Sequence, residues 1–221
     1  MSLRLGSVAP DFEAETTAGH INFHDWIGDS WAILFSHLGD FTPVCTTELG
    51  AVARSAPEFA RRGVKVIGIS ANSLEDHRSW VQDINDYGSQ VEHTDVQFPI
   101  IADEDRKISK LYDMLDEQDA TNRDENGLPY TIRTVFVIDP KKVIRLMIAY
   151  PASTGRNFDE IIRVIDALQL KDKHLIYTPS DWKKGDDVIV DPSVTDDEAN
   201  SLFPGVKIHK PYLRTTPLKV E

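Results

Sequence analysis

Phe41-Thr42-Pro43-Val44-Cys45-Thr46-Thr47-Glu48-Leu49 joins an apolar, β-branched run at residues 31–37 to a stretch of helical periodicity, and it holds the only cysteine of the 221-residue chain. Pro43 suits the first helical position, where its missing N–H costs nothing, and Thr42 suits the N-cap. A strand turning into a helix here aims backbone N–H groups and the positive end of a helix dipole at the first turn, a setting that favours a thiolate. Packing is the competing reading. Cys45, Leu49, Val52, Ala53, Ala56, Phe59 and Ala60 share one helical face, and free cysteine usually behaves as a small buried hydrophobe. Thr42, Thr46, Thr47 and Glu48 crowd the same turn, however, which is a poor setting for an inert thiol.

Working outward, the runs at 31–37, 64–70, 98–102, 134–138 and 143–150 read as strands, several too continuously apolar to be half-exposed. Helical patterns fill 43–62, 74–86 and 105–114 between them. Pro57 predicts a kink in the first helix near Val52 or Ala53, and Gly63 a stop. The last two strands are separated by the turn Asp139-Pro140-Lys141-Lys142 and followed by a helical stretch at 157–170. Strands alternating with helices, then a β-hairpin and a helix, is the order of a thioredoxin-like α/β domain. A short hairpin at 11–23, turning around Thr17-Ala18-Gly19-His20, decorates its N-terminus. Beyond Leu170 the texture changes to Pro- and Gly-punctuated segments carrying the short runs Val188-Ile189-Val190 and Val206-Lys207-Ile208. The expected organisation is a thioredoxin-like domain at 1–170 and a small loop-rich C-terminal domain at 171–221.

Composition closes off several functions. Formal net charge is −12, from 36 acidic against 24 basic residues, with no lysine- or arginine-rich run, which argues against nucleic acid and anionic membrane surfaces as main partners. No apolar run approaches the roughly 20 residues of a membrane span, and residues 1–7 lack a hydrophobic signal core, so a soluble cytoplasmic protein is expected. A lone cysteine excludes an internal disulfide, a C-x-x-C pair and a cysteine zinc site together. The seven histidines show no metal-ligand spacing, and there is neither a P-loop nor a G-x-G-x-x-G, so no metal and no cofactor are expected. The acidic run Asp103-Glu104-Asp105 reads as a helix N-terminus rather than a calcium loop.

Five stretches together resemble the peroxiredoxins, and among them the one-cysteine subfamily with an extra C-terminal domain. They are Phe41 to Glu48 as quoted, Phe35-Ser36-His37, Thr131-Ile132-Arg133-Thr134-Val135-Phe136-Val137, Tyr150-Pro151-Ala152-Ser153-Thr154-Gly155-Arg156-Asn157-Phe158-Asp159-Glu160, and Tyr177-Thr178-Pro179-Ser180-Asp181-Trp182-Lys183. The resemblance implies a thiol-dependent peroxidase that reduces hydrogen peroxide and organic hydroperoxides through a sulfenic acid, in antioxidant defence. It makes Cys45 the attacking thiol, Thr42 the active-site hydroxyl and Arg133 the guanidinium over the sulfur, with His37 and Arg156 in support. An external thiol, glutathione or another small one, would restore the cysteine, and the chain would pair edge to edge as a homodimer. The chemistry suits the residues: negative charge builds on the departing peroxide oxygen, and a hydroxyl, backbone N–H groups and a guanidinium stabilise it. Arg133 on an apolar strand needs an anionic partner, for which Glu48 is the candidate.

Two other readings share these residues. A redox sensor or chaperone-like protein would use oxidised Cys45 as its signal. A lipid esterase, described in the same subfamily, would use Gly28-Asp29-Ser30-Trp31 with His24. Ala32 stands where that motif needs glycine and Lys141 where it needs an acid, with Asp139 as the neighbouring substitute. One departure touches the peroxidase site: Leu38 stands where the family pattern has a proline, and leucine excludes water without fixing the loop.

Overall fold

The computed structural model describes residues 3–218; Met1, Ser2 and 219–221, which close the expected domain ranges at either end, lie outside them. The chain divides into two compact units, Met1–Phe158 and Asp159–Glu221. Compactness thus marks the start of a helix whose end is where the sequence texture changes.

The first unit is built on seven strands: β1 (Glu13–Thr16), β2 (Gly19–Asn22), β3 (Trp31–Ser36), β4 (Val64–Ser70), β5 (Ile100–Ala102), β6 (Arg133–Ile138) and β7 (Ile144–Tyr150), in the order β2-β1-β5-β4-β3-β6-β7. β3 and β6 are buried along their whole length, and the continuous apolar runs put them and β4 at the centre of the sheet. β3 pairs parallel with β4, Ile33 opposite Val66, and β4 parallel with β5. β6 lies antiparallel to β3, and β7 folds back on β6 through a turn in which Lys142 takes φ +65°. Helices α1 (Phe23–Ile27), α2 (Pro43–Arg54), α3 (Ala56–Arg61), α4 (Leu74–Gly88) and α5 (Lys107–Leu111) fill the connections. A core of Phe23, Ile27, Leu34, Ile67, Ile69 and Phe136, each at most 1 % exposed, lies against the sheet; each such side chain contributes about 1.5–3 kcal/mol of transfer free energy.

Several expected boundaries shift. The helix expected at 43–62 is two helices: α2 stops at Arg54, Ser55 sits at φ −82°, ψ −1°, and Pro57 lies in the first turn of α3, where it needs no N–H. Gly63 closes the segment at φ +64°. β5 begins at Ile100, not at 98, because Pro99 has no N–H for the ladder. α5 is only five residues long. Its N-terminal Ile108 and Ser109 N–H groups donate to the Asp103 carboxylate at 3.0 and 2.7 Å, so the acidic run does mark a helix start.

The second unit opens with α6 (Phe158–Lys173, its first residue belonging to the other unit) and continues through β8 (Ile176–Tyr177), β9 (Val188–Val190), α7 (Asp196–Leu202), β10 (Lys207–Lys210) and β11 (Leu213–Thr216). The strands form an antiparallel sheet, β10-β11-β9-β8, over a small core around Trp182, Val188 and Phe203. Thr195 and Glu198 make a capping box at the start of α7. No helix among the described residues is long and apolar enough to cross a membrane.

Candidate active site

At the C-terminal end of β3 the chain leaves the sheet through His37-Leu38-Gly39-Asp40-Phe41-Thr42 and enters α2 at Pro43. Phe41 takes φ +55°, a left-handed conformation that costs a bulky residue about 1–3 kcal/mol and persists only where surrounding contacts impose it. Thr42 stands at the N-cap with extended backbone, as the sequence suggests, but its hydroxyl does not cap the helix. It donates instead to the Gly39 carbonyl at 2.8 Å, which leaves its oxygen free to accept. No side chain caps the first turn of α2, so the N–H groups that lead the helix are free of side-chain acceptors, the arrangement that receives a developing negative charge.

Cys45 lies in this turn with no exposed surface. Arg133, the first residue of β6, donates from Nη1 toward the sulfur at 3.2 Å and to Glu48 Oε2 at 2.8 Å. Its Nε and Nη2 both donate to the Ala152 carbonyl, at 2.9 and 2.7 Å, which fixes the plane of the guanidinium. Glu48, one helical turn beyond Cys45, is also gripped by Arg156: Nε to Oε1 at 2.9 Å, Nη2 to Oε2 at 2.7 Å, and the Arg156 backbone N–H to Oε1 at 2.8 Å. Arg156 Nη1 reaches back to the Ser36 carbonyl at 2.8 Å. Burial opposes ionising Glu48, but the Arg156 hydrogen bonds and charge, with Arg133 behind them, hold its carboxyl below the ordinary carboxylate range. Two buried cations thus face one buried anion, and the remaining positive charge is what an anionic sulfur neutralises.

His37 is fully buried, but its hydrogen bond runs from Nε2 to Asp40 Oδ1 at 2.8 Å rather than to Cys45, and its Nδ1 has no partner. Burial pushes its imidazole below the ordinary value. The other Asp40 oxygen meets His77 Nδ1 at 2.6 Å, and His77 Nε2 meets the Ile101 carbonyl at 3.0 Å. Burial also opposes ionising Asp40, yet the bonds from His37 and His77 keep its carboxyl below the usual range. Sequence spacing gave no metal set, and the fold brings this one together from distant positions. Among the described residues, His37, Asp40 and His77 are the one grouping whose donor atoms could hold a cation, lying within 4.8 Å of one another. Those atoms are hydrogen-bonded to each other at 2.6–2.8 Å, so protons take the places a cation would need. His77 and Trp80, whose Nε1 donates to Thr46 Oγ1 at 3.1 Å, escape a sequence reading because their partners lie in other elements, and Asp40 escapes it because its second partner, His77, is 37 residues away. An acidic residue between His37 and Thr42 was the only available signal.

The chain as a whole is similar to known proteins. Residues 5–147 match the AhpC/TSA family and residues 167–204 the C-terminal domain of 1-Cys peroxiredoxin. The chain is 54 % identical over 221 residues to peroxiredoxin-6 of Rattus norvegicus, covering 97 % of each. Against the mitochondrial peroxiredoxin PRX1 of Saccharomyces cerevisiae it is 52 % identical over 217 residues, covering 98 % of this chain and 82 % of the other. The structure of a cysteine-to-serine mutant of peroxiredoxin 6 from Arenicola marina superposes with a TM-score of 0.93 at 45 % identity, covering 100 % of both chains. A yeast mitochondrial 1-Cys peroxiredoxin, whose thiol resolution is described via glutathione/thioredoxin systems, superposes at 0.87 and 50 % identity, over 98 % of this chain and 100 % of the other.

Proposed function

The chain belongs to the AhpC/TSA family and, within it, to the one-cysteine peroxiredoxins; it is a thiol peroxidase, and from that premise we propose that Cys45 is the reacting thiol, with Thr42 and Arg133 its partners. The observation that carries this assignment is the 3.2 Å approach of Arg133 to a buried sulfur at an uncapped helix start. The Cys45 thiolate attacks one peroxide oxygen, an S–O bond forms, and the O–O bond breaks. The departing oxygen takes the electron pair and a proton, leaving as water or an alcohol, while Cys45 becomes a sulfenic acid. Arg133 and the first-turn N–H groups stabilise the charge on the departing oxygen, and Thr42 Oγ1, whose own hydrogen is donated to the Gly39 carbonyl, accepts a hydrogen bond from the peroxide O–H. Glu48, held by Arg156, keeps the Arg133 guanidinium in place.

Resolution then needs two equivalents of an external thiol: the first displaces water to give a mixed disulfide, and the second restores Cys45 and leaves with the first as a disulfide. Glutathione or another small thiol fits this role. A homodimer joined through β7 belongs to the same reading, because β7 is the last strand of its sheet and its side chains from Arg145 to Ile148 are only half-buried. Sedimentation at micromolar concentration checks it, and a monomer would refute it. A cytoplasmic setting suits a free thiol that depends on a reducing supply; fractionation of cells expressing the protein distinguishes it from the mitochondrial location that one relative's name carries.

The test of the enzymatic assignment is steady-state peroxide consumption with glutathione, thioredoxin with its reductase, dithiothreitol and ascorbate in turn. Turnover with at least one thiol, abolished by Cys45→Ser, is expected. Turnover that survives Cys45→Ser would overturn it.

A further inference from the structure

Between β3 and α2 the chain carries no proline at 38–42, has a glycine at 39, and yet holds Phe41 at φ +55°. Something other than backbone stiffness imposes that turn. The contacts converge on Asp40. Its carboxylate is shared between His37 Nε2 at 2.8 Å and His77 Nδ1 at 2.6 Å, all three side chains buried. Its backbone N–H donates to Asn72 Oδ1 at 3.0 Å, and that oxygen accepts in turn from Ser70 Oγ at 3.1 Å. His77 sits on α4 and reaches the Ile101 carbonyl of β5, so Asp40 ties the turn to elements the peroxide never meets.

Resting on the reaction proposed above, we infer that Asp40 is a positioning residue for it: the His37–Asp40–His77 clamp holds the 38–42 turn so that Thr42 and the open first turn of α2 stand where the peroxide oxygens need them. Thr42 depends on that turn directly, since its hydroxyl is oriented by the Gly39 carbonyl beside Asp40. The proton count makes the clamp geometric rather than electrostatic. His77 Nε2 faces a carbonyl and therefore carries a proton, one further proton lies between His77 Nδ1 and Asp40 Oδ2, and His37 donates from Nε2 alone, so the array bears no net charge. An asparagine at position 40 reproduces every contact, accepting from His37 through Oδ1 and donating to His77 Nδ1 through its amide. Alanine reproduces none.

The experiment measures two second-order rates on Cys45 in the full chain: reaction with hydrogen peroxide and alkylation by iodoacetamide, which needs the sulfur but not the peroxide-binding donors. Asp40→Ala is expected to slow the peroxide reaction by about 30-fold while alkylation changes by less than about threefold, and Asp40→Asn to keep both rates within about threefold of the parent. Asn72→Ala, which removes the acceptor shared by the Asp40 N–H and Ser70 Oγ and leaves the carboxylate clamp in place, gives a smaller loss of the same kind and remains readable if Asp40→Ala does not fold. The inference is overturned if Asp40→Ala or Asn72→Ala reacts with peroxide like the parent, if both rates fall together, or if Asp40→Asn is as slow as Asp40→Ala. Cys45→Ser alone bears on the underlying reaction, so failure of the clamp and failure of the peroxidase assignment give different results.

Discussion

Nη1 of Arg133 stands 3.2 Å from the sulfur of Cys45 while donating to Glu48 Oε2 at 2.8 Å, so one nitrogen links the thiol to a buried carboxylate. Arg133→Ala removes a donor to the developing charge yet leaves Glu48 held by Arg156. We expect this variant to slow peroxide reduction by a factor on the order of 100 beyond any effect on the ionisation of Cys45. Stopped-flow rates across a pH series separate the two effects. A defect that disappears where Cys45 is fully ionised would remove Arg133 from the transition state.

How much of this was legible in the sequence follows from the range of each interaction. β3 announces itself as an almost uninterrupted apolar run and β4 as one broken only near its start by Lys65, and Pro43 marks the start of α2 to the residue. The ion pair of Arg133 with Glu48 could be anticipated because a guanidinium on an apolar strand needs an anion. Asp40 with His77 could not: each is an ordinary polar residue in its own segment, and only the convergence of β3, β4 and β5 brings them together. β10 is only half-legible because Val206 and Ile208 alternate with Lys207 and His209 over a short stretch that Lys210 ends, and all four residues of the strand are exposed, with no buried face to lengthen the pattern. The break at Ser55 went unseen because Pro57 can kink one helix or open the next, and local sequence does not decide between them.

Acid should weaken the fold in two stages. Burial keeps the folded His37 imidazole below its ordinary 6.5, so the unfolded chain takes up that proton first and stability falls as pH drops below about 6.5. Asp40 and Glu48 are also held below their ordinary values, 3.8 and 4.5. Their contribution is fully present above those values and is lost as pH falls through the lower folded ones. Denaturant unfolding from about pH 8 to about pH 2 checks both stages. A midpoint that stays constant down to about pH 5 would contradict the first stage.

Cys45 has no second cysteine to trap it. One equivalent of peroxide, with no thiol present, is expected to add a single oxygen at Cys45, and excess peroxide to add two or three, because nothing within the chain diverts the sulfenic acid into a disulfide. Mass spectrometry of the intact protein and of the Cys45 peptide reads both outcomes. A mass unchanged by peroxide would defeat the assignment of Cys45.

Lipid ester hydrolysis should be weak or absent. A serine hydrolase needs a histidine whose imidazolium is steadied by an anion while the serine oxygen attacks. His24 Nε2 lies 2.8 Å from the Ala9 carbonyl, an acceptor that obliges this nitrogen to donate, and the carboxylate nearest the other ring nitrogen is Asp11 at 4.0 Å. Asp139, the substitute acid, is committed elsewhere: its Oδ1 accepts the Lys141 and Val143 N–H groups at 2.9 and 3.0 Å, and its Oδ2 accepts from Arg145 at 3.1 Å. Freeing it would cost the β6–β7 turn its hydrogen bonds, about 0.5–1.5 kcal/mol each. Lys141, a cation, stands at the motif position for which the resemblance calls for an acid. Release of fatty acid from phosphatidylcholine vesicles, at a level above a no-protein control, is the measurement. Hydrolysis that vanishes in Ser30→Ala but persists in Cys45→Ser would reverse this expectation and show that the 28–31 turn carries a second chemistry.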